Sequence, residues 1–115
     1  MKIIDGHMHT KGAPGRWFAD CADARGCEAY AVLSLSCMQA YGGDRNNEEC
    51  LAAKRADPAR AYFFAGLVHP CADPLQHIQR WLDRGADGVK LIETKPTVWK
   101  ETGADLSDAA FDPLF

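Results

Sequence analysis

Four short apolar runs recur along the chain, each parted from the next by a stretch with helical patterning, and this alternation constrains the fold more than any other feature. Lys2 to Asp5 is brief and fit for a buried strand. Glu28 to Ser36 (EAYAVLSLS) is the second run, Ala61 to Val68 (AYFFAGLV) the third and most apolar, and Gly88 to Ile92 (GVKLI) the fourth. Between the first two, Arg16 to Arg25 reads as a helix closed by Gly26. Asn46 starts a second helix as its cap, Glu49 completes a capping-box-like pair, and Asp57 and Pro58 stop the helix after Ala56. Asp73 caps a third helix, with Pro74 suited to its first turn. Leu75, Ile78 and Leu82, with Trp81, give that helix an apolar stripe at helical spacing, and Gly85 ends it. Lys11 to Gly15, Cys37 to Arg45 and the polar stretch Thr94 to Asp105 read as loops.

Strands spaced by roughly 30 residues match the size of a βαβ unit. Strands that read as near-continuous apolar runs are covered on both faces, as in parallel sheets flanked by helices. The expectation is therefore an α/β fold of parallel βα units, in one domain of 115 residues with no internal linker. Asp112, Pro113 and Leu114 repeat the helix-start pattern of Asp73, Pro74 and Leu75. The chain thus reads as interrupted where a fourth crossover helix should begin; the alternative is a frayed tail or a single final turn.

Composition narrows the function classes. Hydrophobic residues at 47% and charged residues at 25% are ordinary for a globular domain. No apolar run approaches a membrane span. Ile3 and Ile4 run straight into Asp5, Gly6 and His7, which leaves no room for the apolar segment of a secretory signal. Cys21, Cys27, Cys37, Cys50 and Cys71 are an odd, scattered set without a C-x-x-C, so the expected location is reducing and cytoplasmic, with the thiols as small apolar groups. A net charge of −3 without a basic cluster argues against nucleic acid and anionic membranes, and leaves a small-molecule substrate as the expected partner.

The chemistry concentrates in IIDGHMHT at the start of the chain. Residues i and i+2 of a strand point to one face, so His7 and His9 present two imidazoles together, with Asp5 in line behind them. Chemistry in parallel α/β folds gathers at the carboxyl ends of strands, where this pair sits. Two neutral imidazoles suit a divalent metal, zinc foremost, with iron, nickel or manganese where carboxylates are added. A catalytic centre of this kind takes about three protein ligands, and the nearby sequence supplies two.

IIDGHMHT resembles the first strand of the amidohydrolase superfamily, whose members begin with an H-x-H pair. ADPARAYFFAGLVHP (Ala56 to Pro70) and GADGVKLIET (Gly85 to Thr94) are similar to the third and fourth strands of its amidohydrolase-related branch, also called amidohydrolase 2. The resemblance implies the N-terminal half of a TIM-like (β/α)8 barrel holding one or two divalent metals. It implies hydrolysis of an amide, ester or lactone by metal-activated water, or metal-dependent decarboxylation, which some relatives perform. The family's remaining ligands, histidines of the fifth and sixth strands and an aspartate of the eighth, lie beyond the part of the fold this sequence covers. A full barrel takes about 250 residues.

Lys90, within the fourth run, and His69, at the end of the third, are the candidate catalytic residues beside the metal pair His7 and His9. In some superfamily members a lysine near the end of the fourth strand is carbamylated and bridges two metals. The alternative for Lys90 is hydrogen bonding within the barrel or contact with a substrate carboxylate. An unpaired buried ammonium is costly, so a carboxylate, a metal-bound group or a substrate anion is expected near it. Glu93 faces either the site or solvent, with strand parity opposite to Lys90. His77 is expected at the surface, and Trp17, Trp81 and Trp99 in packing roles. Asp5, His7, His9 and Thr10 also match the Asp-x-His-x-His-Thr start of PHP-type metallophosphoesterases, although KGAPGR lacks their usual Ser-Asp-Gly-type continuation. A further reading is a non-catalytic half-barrel whose open first and fourth strands pair in a homo-oligomer, which would bring two H-x-H pairs together.

Overall fold

The apolar runs form strands, and the computed structural model, which describes residues 2–115, joins them in one sheet. Strands β1 (Ile3–Met8), β2 (Cys27–Leu33), β3 (Ala61–Gly66) and β4 (Gly88–Lys90) pair in parallel in the order β1-β2-β3-β4. Helices α1 (Gly15–Arg25), α2 (Asp44–Ala56) and α3 (Pro74–Asp83) make the crossovers. Helix α4 (Pro96–Thr102) follows β4. Each crossover steps the same way along the sheet. Parallel crossovers share one hand, so their helices collect on one face.

That face holds the core. Tyr30 and Val32 of β2 and Phe63 and Ala65 of β3 point into it, all fully buried, against Phe18 of α1, Cys50 and Ala53 of α2, and Trp81 of α3. The Trp81 ring meets Phe63 edge-on at 6.1 Å, and its indole N–H donates to Asp44 Oδ1 at 3.1 Å, so the one polar atom of this large side chain is satisfied. Helices α1 and α2 pack so closely that a Cβ on Gly15 would stand 2.7 Å from the Ala52 carbonyl oxygen. A second cluster gathers Leu67, Ile78 and Phe111. Strand alternation turns Ile4 and Tyr62 to the other face, which no helix covers, and they are 69% and 49% exposed. No helix among the described residues is long and apolar enough to cross a membrane.

Several elements differ from the sequence reading. Strand β1 runs on to Met8, carrying His7 within the strand. Asn46 does not cap α2, which starts earlier at Asp44, with Gly43 as its N-cap. Instead Asn46 and Asn47 are both fully buried and spend their amides on the strand ends. Asn46 Nδ2 donates to the Thr10 carbonyl at 3.0 Å, and its Oδ1 accepts from the Leu35 N–H at 2.7 Å. Asn47 Nδ2 donates to the Gly66 carbonyl at 2.9 Å while its Oδ1 accepts from the Gly66 N–H at 3.0 Å. Glu49, expected in a capping box, accepts from the Gly12 N–H at 3.0 Å and from Arg45 at 3.2 Å. Backbone groups left bare where strands end need partners more than a helix terminus open to water does.

The stretch Thr94 to Asp105 is not all loop. It holds α4, opened by Pro96, closed by a left-handed Gly103, and anchored by the fully buried Val98. One buried residue in seven leaves no periodic stripe to read. At the C-terminus, Asp112 to Leu114 do not open a new helix. They belong to a 3-10 turn, Ala109–Leu114, with Pro113 inside it and Phe111 buried.

The clamp sets a stability expectation. Asn47→Ala strips a partner from both the N–H and the C=O of buried Gly66, at about 1–3 kcal/mol for each group left bare. Urea unfolding should show a loss of about 3 kcal/mol. Glu48→Gln, next in the chain but on an exposed pair with Arg84, should cost less than about 1 kcal/mol. Equal costs for the two substitutions would remove the clamp from the account.

Candidate active site

The clamp holds the carboxyl ends of β1, β2 and β3 level, and the functional side chains stand on that rim. His7 and His9 flank Met8 on one side of the chain, with rings 4.5 Å apart and nearly perpendicular. Their Nε2 atoms are 2.7 Å apart. His9 Nδ1 lies 2.6 Å from the Leu33 carbonyl oxygen, which can only accept. His9 therefore carries its proton on Nδ1 and bears a lone pair on Nε2. That lone pair accepts from His7 Nε2–H, and Lys90 Nζ reaches it at 3.4 Å. The proton positions are assigned from this network. Burial lowers the His9 pKa first of all, the Leu33 bond opposes, and the charge of Lys90 adds to the lowering. His9 is thus a neutral imidazole at neutral pH.

Lys90 ends β4 half-buried, and burial lowers its pKa too. It opens with the two histidines into a cavity of about 400 Å³. Lys95 supplies the fourth polar side chain of that wall, and Leu35, Met38, Ile92 and Tyr41 line the rest. Three of the four residues singled out in the sequence, His7, His9 and Lys90, are thus brought together.

His69 is not with them. It lines a separate cavity of about 100 Å³ beside Cys37 and Glu101. Its Nε2 donates to Glu93 Oε1 at 3.1 Å, and Glu93, wholly buried, also accepts from the Ile92 N–H at 2.8 Å. Glu93 therefore faces neither the histidine pair nor solvent. Strand parity does not bind it, because β4 stops at Lys90.

Asp5 accepts the His7 backbone N–H through Oδ1 at 3.0 Å and does not line the cavity that His7 and His9 share with Lys90. Thr10 is buried, donates to Glu49 at 3.4 Å and accepts from the Ala13 N–H at 3.3 Å, so a structural need accounts for this residue of the Asp-x-His-x-His-Thr pattern. Among the described residues no three His, Cys, Asp or Glu side chains form a metal-binding group. Burial pushes the Cys37 thiol up to about 11 and the Cys50 thiol up to about 12, so both stay protonated and unreactive at neutral pH. Sequence reasoning missed Lys95, Tyr41 and the Leu33 carbonyl. Lys95 sits before Pro96 in a polar stretch, and no local pattern marks it.

His77 corrects another expectation. Its side chain is only 11% exposed, because α3 packs its first turns against the end of β3. Arg80 donates to His77 Nδ1 at 3.2 Å, leaving the proton on Nε2. That atom is buried 3.4 Å from Asp44 Oδ1, without the alignment of a hydrogen bond. Trp81 is core, while Trp17 and Trp99 are 47% and 54% exposed.

No family model, curated protein or solved structure matches this chain.

His77 makes the fold sensitive to acid. Burial lowers its pKa from the ordinary 6.5, with Asp44 opposing. A histidine with a depressed folded pKa stabilises the native state fully above the unfolded value and loses that contribution as pH falls through the folded value. The urea midpoint should therefore drop as pH is lowered from about 6.5. His9 has the same sign. His77→Gln should flatten part of the slope between pH 7 and pH 5, and an unchanged slope would show that His77 takes no part.

Proposed function

We propose that this chain forms the metal-binding, strand-end half of a hydrolase of the amidohydrolase type, acting on the carbonyl of a small amide, ester or lactone. The observation that carries the reading is the convergence of the His7 and His9 Nε2 atoms, 2.7 Å apart, with His9 Nδ1 tied to the Leu33 carbonyl. Metal-ligating histidines characteristically donate their other ring N–H to such a partner, which fixes both tautomer and aim. His9 already has the tautomer a ligand needs, with its Nε2 lone pair aimed at His7 and Lys90. His7 needs its proton moved to Nδ1 and its bond to His9 given up.

The donor chemistry fits zinc, with manganese or iron as alternatives where carboxylates join. The donor count falls short, since among the described residues no third His, Cys, Asp or Glu groups with the pair. The remaining ligands would come from further βα units of a TIM-like (β/α)8 barrel, on a longer protein or on a second copy. The uncovered sheet face beside Ile4 and Tyr62 supports that completion. When bound, a divalent ion supplies Lewis acidity and brings the pKa of a water ligand toward 7. His7 and His9 would hold the ion, and Lys90 would face the substrate.

Equilibrium dialysis with zinc tests the reading. The wild-type chain should take up zinc, and the His7→Ala/His9→Ala double variant should bind it at least about tenfold more weakly. His69→Ala should bind like wild type. Equal uptake by the double variant would end the metal reading of the pair.

A further inference from the structure

We propose that the cavity beside His9 is a binding site for an organic carboxylate, its acid group held by Lys90 and Lys95 and its apolar body set against Leu35, Met38 and Ile92. This names the substrate class of the proposed hydrolase, and its catalytic meaning rests on that reading. The binding itself needs no metal.

The charge balance of the wall carries the inference. Two ammonium groups, two imidazoles, the Tyr41 phenol and apolar side chains line the cavity, and no aspartate or glutamate does. Among the described residues neither Lys90 nor Lys95 pairs with a carboxylate. The nearby acids are spoken for: Glu93 meets His69, and Glu101 accepts the Gln39 N–H at 2.6 Å. The Lys90 ammonium instead lies 3.4 Å from the His9 lone pair, a neutral partner. A half-buried ammonium without a counter-charge is costly. An arriving anion removes that cost, and Lys95, exposed beside the same cavity, offers a second donor.

The walls decide which anion. A bare inorganic ion would leave Leu35, Met38 and Ile92 wet. A cavity of about 400 Å³ lies within the range of small-ligand sites, which are mostly apolar with a few placed polar groups. An acid with an apolar or aromatic body satisfies both halves of the wall. Its acid group beside Lys90 would stand next to the histidine pair.

Benzoate, benzamide and inorganic phosphate are the probes, titrated into the full chain in chelating-resin-treated buffer and followed by NMR at the Met38 methyl and the Ile92 amide. Benzoate should bind saturably, with benzamide and phosphate each at least about tenfold weaker, a difference of about 1.4 kcal/mol. Lys90→Met and Lys95→Met should each weaken benzoate at least about threefold, and Lys100→Met, on the exposed side of α4, should not. Benzamide or phosphate matching benzoate would overturn the proposal. So would unchanged benzoate affinity in folded Lys95→Met, a variant at an exposed position that tests the site even if Lys90→Met fails to fold. Benzoate binding without zinc uptake would remove the metal reading and keep this site; zinc uptake without benzoate binding would do the reverse.

Discussion

Two adjacent asparagines near the start of α2 hold the site in register. Parallel strands end by exposing peptide groups that the ladder no longer pairs. Asn46 takes the Thr10 carbonyl beyond β1 and the Leu35 N–H beyond β2, and Asn47 takes both groups of Gly66 at the end of β3. An amide suits this work because it donates and accepts from one rigid, uncharged plane. A carboxylate could not donate, and an alkyl chain would leave several buried groups bare. With the three strand ends tied to one helix, the backbone that carries His9 and the backbone that carries Leu33 keep a fixed separation. The short bond between His9 Nδ1 and the Leu33 carbonyl depends on that separation.

From that bond the electrostatics of the site follow. It places the His9 proton on Nδ1, which makes Nε2 the acceptor for His7 and Lys90. Burial disfavours a second proton on His9, and the nearby lysine charge acts in the same direction. A neutral imidazole beside two cations, with no carboxylate in the wall, leaves an excess of positive potential at the cavity. Low local polarity strengthens that potential. The ammonium groups of that wall stand without a carboxylate partner among the described residues.

Some of this was legible in the sequence and some was not, for physical reasons. Alternating apolar runs and helix stops announce parallel βα units, because backbone periodicity and burial act locally. The H-x-H pair announces itself by strand parity, and Lys90 by the cost of an ammonium in an apolar run. Asn46 reads locally as a helix cap, but strand ends distant in sequence take its amide. His77 reads as a surface residue, because its burial comes from how α3 docks on β3. His69 and His9 share a rim in the strand order yet open into different cavities, and Glu93, only three residues from Lys90, turns to His69 once β4 has ended. Side-chain partners set by tertiary approach leave little trace in spacing.

The uncovered sheet face is the last consequence of the strand order. Crossovers of one hand, all stepping the same way, put α1, α2 and α3 on one side and leave Ile4 and Tyr62 on the other. Parallel sheets are ordinarily covered on both faces. Burying an exposed isoleucine or tyrosine side chain is worth roughly 2 kcal/mol, so the bare face is a source of free energy for whatever completes it. An open β1 edge adds unpaired peptide groups along the same border. Additional parallel strands are the form of cover that meets both needs, since they pair the edge and close over the apolar face.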